Sequence, residues 1–185
     1  MTIPGLMKQL SDWWAEARAN RLFQLGIGGA IVIAILDQLS KFWIVDIAKL
    51  PERVGRQIEI SSIFDLTFVQ NYGASFGMLS GGLTSRIILS VISTGVAMGL
   101  AYWLGRLTRP VAALGVTFII GGALGNLYDR IAYGYVVDFL DFSGLGFPWV
   151  FNVADAAINI GVGLLLLDAW QTRDQGPNKA SKPGA

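Results

Sequence analysis

Apolar residues in this chain gather in long blocks rather than in the short periodic stripes of a soluble helix. Residues 25–36 carry no charge at all. Four blocks, about 22–45, 87–104, 111–127 and 153–170, approach the roughly 20 apolar residues that cross a bilayer as a helix. Only Gly105 to Pro110 separate the second from the third, which predicts an antiparallel pair. The first block is followed by Asp37-Gln38-Leu39-Ser40-Lys41 and has no small-x-small cleavage pattern, so it reads as a retained helix and not a removed leader.

The connections differ in kind. Between the first two blocks, residues 46–86 hold Leu66, Phe68 and Gln70 alternating with Thr67 and Val69, with Ile60 and Ile63 beside serines. That β-branched and aromatic alternation predicts two or three short strands ending at Asn71-Tyr72-Gly73. Such a platform needs helices to pack on, since an isolated hairpin is marginal. Residues 131–150 form a second connection, in which Gly144 and Gly146 give the 144–148 loop freedom to move over a substrate. The fold class expected is an α-helical integral membrane protein of four transmembrane helices with a small extracytoplasmic β platform and loop.

In residues 1–20, Leu6, Leu10, Trp13, Trp14 and Ala17 recur at helical spacing among Lys8, Asp12, Glu16 and Arg18. This predicts an amphipathic helix on the cytoplasmic surface. Residues 21–172 make the membrane domain, and 173–185 have no apolar face and read as a disordered tail. Within the spans, Gly95/Gly99, Gly121/Gly125 and Gly26/Ala30 are four apart, a spacing that lets membrane helices approach closely. The run Gly26-Ile27-Gly28-Gly29 lies inside an apolar block and not after a strand, which removes it as a nucleotide motif.

Composition sharpens the membrane reading. Of 185 residues, 53% are hydrophobic and 15% charged, against about 25% charged in a soluble domain. A net charge of +1 offers no basic field for nucleic acid. Cysteine and histidine are absent, which excludes disulfides, thiol nucleophiles and His-based triads. Any hydrolysis must use carboxylates, hydroxyls or Lys. With four spans, one side carries Lys8, Arg18, Arg21, Arg106, Arg109, Arg173, Lys179 and Lys182. The other carries Lys41, Lys49, Arg53, Arg56, Arg86 and Arg130, spread over longer connections. The bias places both termini in the cytoplasm. Trp43, Trp103, Trp149 and Trp170 fall near span ends, where amphipathic rings favour the interface.

Asp138 and Asp155 flank the join between the third and fourth blocks. A carboxylate at a membrane span costs several kcal/mol unless paired, hydrated or protonated. Two that meet across a helical hairpin point to a shared proton. Further polar residues gather at the same span ends: Asp37 with Lys41 at i,i+4, then Asn126, Asp129 and Arg130, then Asn152 one turn before Asp155. Each alone is explained by a salt bridge, cap or anchor, with Arg130 an available partner for Asp129. Asp37 with Lys41 reads as a structural pair fixing the first span to the platform.

Asp37-Gln38-x-x-Lys41, Asn71-x-Gly73-Ala74-x-Phe76, Gly121-Gly122-x-x-Gly125-Asn126-x-x-Asp129-Arg130, Val137-Asp138-Phe139 and Phe151-Asn152-x-Ala154-Asp155, in that order, resemble lipoprotein signal peptidase, or signal peptidase II. The resemblance covers about residues 22–170. It implies an aspartic endopeptidase of the bacterial inner membrane, without metal or cofactor. The implied substrates are prolipoprotein signal peptides bearing a diacylglyceryl-cysteine, cut just before that cysteine. Asp138 and Asp155 match the family's catalytic pair. Asn71, Gly73, Gly122, Asn126, Arg130, Asn152 and Ala154 match positions that bind substrate or support the site. The expected partners are these substrates and membrane lipids, the expected state a monomer.

Two other classes also place carboxylates in membranes. A proton-coupled transporter needs polar residues continuing to the far side, and 27–36 and 161–167 are apolar apart from glycine. A non-catalytic scaffold leaves the polar cluster unexplained.

Overall fold

A computed structural model describes residues 3–73 and 82–173, so Ala74 and Phe76 of the second motif and nearly all of the tail lie outside the described residues. Helix α1 (Ile3–Ala19) leads through a one-residue turn into α2 (Arg21–Phe42). Then follow strands β1 (Gln57–Glu59) and β2 (Asp65–Asn71), helices α3 (Leu83–Leu104) and α4 (Pro110–Ala132), strands β3 (Val136–Asp141) and β4 (Val150–Phe151), and helix α5 (Val153–Arg173). Among the described residues, helices α2 to α5 are the four that are long and apolar enough to cross a membrane, as expected.

Local chemistry sets the helix ends. Asn20 caps α2 by accepting the Leu22 N–H at 2.9 Å. Its amide also donates to the Gly105 and Leu107 carbonyls, at 3.3 and 3.0 Å, and so binds the α1–α2 turn to the α3–α4 turn. Pro110 opens α4, where its missing N–H costs nothing. Arg109 pairs with Asp168 at 2.8 Å, closing this end of the bundle between α4 and α5.

Helix α4 is the core helix, with buried residues along its length, and it packs on α2, α3 and α5. Glycines set the spacing of the tightest contact, α4 on α5. A Cβ at Gly161 would lie 2.6 Å from the Gly115 carbonyl oxygen, and one at Gly122 would collide with the Ala154 carbonyl. Gly121 meets Ile33 and Ala30 of α2, as its spacing predicted, and Gly26 meets Leu104 and Thr117. Gly95 and Gly99 do not follow that expectation: they face open space on α3. Spacing identifies a smooth helix face but not whether a neighbour covers it.

The four strands form one antiparallel sheet in the order β1-β2-β3-β4, at the bundle end where α2 and α4 finish and α3 and α5 begin. Residues 46–86 supply two of these strands, the second ending at Asn71 as expected, while β3 and β4 come from the second connection, where no strand was expected. Strand β3 is buried at nearly every position, so it lacks the alternation that marks a half-exposed strand. Strand β4 has two residues, too few for any pattern. Ile60 and Ile63 lie in the β1–β2 turn, not in strands.

After Phe42 the chain takes a π-helical turn, Trp43–Ile47, and a 3-10 turn, Leu50–Glu52. Ile44 and Leu50 from these turns join Leu66, Phe68, Val137 and Phe139 in a hydrophobic cluster beneath the sheet. Because side chains alternate along a strand, burying Val137 and Phe139 on this side turns Asp138 to the other. Gly144 meets the Ser62 backbone too closely for a Cβ, so it packs the second connection onto the first. Gly146, the other glycine of the 144–148 loop, takes a left-handed φ of 80° and faces open space.

Candidate active site

Asp138 stands at the centre of β3, opposite Val69 of β2, and is 2% exposed. Two residues further along β2, Asn71 donates its amide to Asp138 Oδ2 at 2.9 Å. The orientation of Asn71 is fixed locally, since its Oδ1 accepts the Gly73 N–H at 2.8 Å in a turn that Gly73 enters with φ of 82°. On the other side of the carboxylate, Asn152 Nδ2 donates to Asp138 Oδ1 at 2.7 Å.

Asn152 immediately precedes α5 and caps it. Its Oδ1 accepts the Asp155 N–H at 2.9 Å, which fixes which end of the amide faces Asp138. Asp155 is thereby held in the first turn of α5, where the helix dipole favours negative charge. Asn126 of α4 completes the set. It donates to Asp155 Oδ1 at 2.7 Å, and its own oxygen accepts from Asn152 at 3.1 Å. Two asparagines therefore join the two aspartates in one chain: Asp138, Asn152, Asn126, Asp155.

The carboxylates are not equivalent. Burial, then the charge of Asp155, push the Asp138 carboxyl up from its ordinary 3.8 to about 7, against the lowering effect of hydrogen bonds from Asn71 and Asn152. Asp155 is half-buried. Asp138 is thus the buried member of the pair, its carboxyl raised, and Asp155 the more accessible one.

Behind the asparagines lies a second cluster. Lys41 pairs with Asp37 at 2.7 Å and Asp129 at 2.8 Å, and donates to Asn126 Oδ1 at 3.3 Å. Asp37 Oδ1 accepts the Ala154 N–H at 2.9 Å, and Asp129 Oδ2 accepts the Val137 N–H at 3.0 Å. The i,i+4 pair is present, but its contacts run to α4 and the start of α5, and it reaches the platform only through Asp129, which accepts the Val137 N–H. Asp129 takes Lys41, not its neighbour Arg130. Arg130 instead donates to the Asn126 carbonyl at 3.3 Å, with its charge in reach of Asp155, Asp129 and Asp138.

Gly122 and Ala154 contribute by being small: their contact seats α5 on α4 one turn from Asn126 and beside Asp155. Gln38 stands in the first motif, but the sequence assigned it no role. Its amide donates to Asp129 at 2.7 Å and to the Gly125 carbonyl at 3.1 Å, orienting the cluster behind the site. Its position between Asp37 and Lys41 was the available signal.

Fold and site together define a polytopic membrane protein with a supported aspartate pair at the sheet-bearing end of its bundle. Residues 29–171 match the family described as Signal peptidase (SPase) II. The lipoprotein signal peptidase of Caulobacter vibrioides is 48% identical over 146 residues, covering 78% of this chain and 86% of the relative. That of Alteromonas mediterranea is 40% identical over 155 residues, covering 82% and 81%. A bacterial membrane enzyme solved by the in meso method at 2.3 Å resolution superposes with a TM-score of 0.72 at 27% identity, over 86% of this chain and 95% of that one. The chain belongs to the signal peptidase II family, and it is a protease of the aspartic type. Lipoprotein processing is the work of that family.

Proposed function

We propose that this enzyme removes the signal peptide from diacylglyceryl-modified bacterial prolipoproteins, cutting the peptide bond before the lipidated cysteine. The observation that carries the mechanism is the chain Asp138, Asn152, Asn126, Asp155, which holds two carboxylates in one hydrogen-bonded unit while leaving Asp155 accessible.

The dyad retains one proton up to about pH 7. Asp155 takes a proton from water as the water oxygen attacks the scissile carbonyl. The proton on Asp138 is donated to the carbonyl oxygen as the tetrahedral intermediate forms. Collapse of that intermediate breaks the C–N bond, returns the hydroxyl proton to Asp138 and passes the proton on Asp155 to the leaving amine. The dyad is restored without a covalent intermediate. Arg130, close to both carboxylates, offsets charge at the site.

The membrane placement follows from charge and packing. Of the six basic residues at the sheet-bearing end, Lys41 is buried in its ion pairs and Arg130 belongs to the site, while the terminal end carries eight. The positive-inside bias puts the termini in the cytoplasm of a bacterial inner membrane and the dyad at its outer face. Helices α3 and α5 both pack on α4 and, among the described residues, hardly touch each other, which favours the face of α4 between them as the approach of a signal-peptide helix and its lipid chains. The hydrogen-bonded set Asp138, Asn152, Asn126 and Asp155 closes on itself, which supports a monomer as the working unit.

The test is cleavage of a diacylglyceryl-modified prolipoprotein in detergent by the wild type, Asp138→Asn and Asp155→Asn. Each variant loses on the order of 10²–10⁴ in rate. Wild-type cleavage rates in either variant would sink the dyad, and equal cleavage of unmodified prolipoprotein would sink the lipid requirement.

A further inference from the structure

A cavity of about 700 Å³ opens between α2 and α4 toward the sheet-bearing end. Its size lies within the range of small-molecule sites, about 300–1,000 Å³. Neither Asp138 nor Asp155 lines it, and Gln38, Lys41 and Gly125 form its inner wall. The membrane-side wall is apolar, built from Ile31, Ile35, Leu39, Phe42 and Leu124. These residues belong to spanning helices, so this wall is at acyl-chain depth.

The mouth has a different chemistry. Tyr128, Tyr133 and Tyr135 line it together with Asp46. Tyr133 meets Tyr128 edge-on at 6.3 Å and Tyr135 at 6.1 Å, so the three rings form a contiguous aromatic surface. Asp46 lies on the π-helical turn that follows α2. It is exposed and has no cationic partner among the described residues. On the inner wall, Lys41 is held between two carboxylates, Asp37 and Asp129, so that cluster adds no surplus positive charge. Aromatic faces and an unpaired carboxylate complement a cation, and they disfavour an anionic head.

We propose that this groove binds a membrane glycerophospholipid with an ammonium headgroup. An acyl chain lies along Ile31, Ile35, Leu39 and Leu124, and the ammonium sits against Tyr128, Tyr133, Tyr135 and Asp46. The amphipathic division of the cavity selects the ligand class: a free amine has no use for the apolar wall, and an anionic lipid meets Asp46 as a like charge. The site is separate from the aspartate pair and binds whether or not substrate is present.

Native mass spectrometry of the purified full chain tests this. The protein is titrated with phosphatidylethanolamine and phosphatidylglycerol of identical acyl chains. Wild type retains the ethanolamine lipid with a preference on the order of tenfold. Asp46→Asn, an exposed substitution that leaves folding intact, lowers that preference, and Asp46→Asn/Tyr133→Leu removes it while thermal unfolding reports that the fold persists. Equal retention of the two lipids by the wild type, preference for the glycerol lipid, or a preference unchanged in both variants overturns the proposal. Prolipoprotein cleavage is not the readout, so failure here leaves the protease assignment standing.

Discussion

Asn152 donates to Asp138 at 2.7 Å across the join between β3 and α5. The same amide caps the helix that bears the second aspartate, so one side chain sets both the geometry of the pair and the start of α5. The two duties separate by substitution. Asn152→Ala loses cap and carboxylate contact and destabilises by about 1–3 kcal/mol. Asn152→Ser keeps a cap but cannot reach Asp138, so its unfolding temperature recovers while kcat stays low. Equal recovery of both would make Asn152 a cap alone.

Activity has an alkaline limb near pH 7, because the acid member of the pair is lost as Asp138 ionises. The sign for stability is the same. The folded protein binds this proton more tightly than the unfolded chain, where the group titrates near 3.8. Its contribution is therefore fully favourable below that value and is lost as pH rises to about 7. Unfolding followed from pH 4 to 8 shows this slope in wild type and not in Asp138→Asn. A flat wild-type profile would contradict the raised Asp138.

Lys41→Met leaves Asp37 and Asp129 buried without their cation and costs about 3–5 kcal/mol. Unfolding in mixed micelles measures it. Asp37→Asn/Lys41→Met recovers part of the loss, since one carboxylate fewer remains. A Lys41→Met protein of normal stability but without turnover would move Lys41 from support into chemistry.

Gly122→Ala forces a methyl against the Ala154 carbonyl and tilts the start of α5. The expected cost is about 1–3 kcal/mol, with kcat reduced because Asp155 moves. Gly99→Ala is the contrast: its Cβ meets nothing, and helix propensity favours it by roughly 0.5–1 kcal/mol. Thermal unfolding of the two variants side by side distinguishes packing from spacing alone.

Helix α1 divides its apolar stripe between two surroundings. Trp13 docks on the bundle, donating to the Tyr102 carbonyl at 3.1 Å, and Ala17 is buried. Ile3, Leu6, Met7, Leu10 and Trp14 remain exposed along the adjoining sector. We expect this sector to lie in the membrane interface. With the other tryptophans replaced by Phe, brominated lipid quenches Trp14 fluorescence more than Trp13. Equal quenching would argue against that placement.

What could be read before folding was what lipid imposes on sequence. Spanning helices must be apolar for about 20 residues, so all four were legible, and polar residues near their ends stood out because burying them is costly. The ordered motifs at Asp37, Asn71, Gly122, Asn126, Asp138 and Asp155 then marked the family. Strands β3 and β4 were hidden, because a fully buried strand and a two-residue strand carry no alternation. Partner choice was hidden too. Sequence proximity favoured Arg130 for Asp129, whereas the fold brings Lys41 from 88 residues away to 2.8 Å.

The sequence by itself determined a four-span membrane protein, the candidate aspartates and the absence of any thiol or imidazole chemistry. These are properties of composition and local pattern. Only tertiary structure decided that Asn126 and Asn152 join Asp138 to Asp155, that Asp138 is the buried member, and that β3 lies inside the sheet. Hydrogen bonds act over about 3 Å while these residues lie 14 to 29 positions apart. Their meeting depends on α4 and α5 packing through glycine, which no local pattern records.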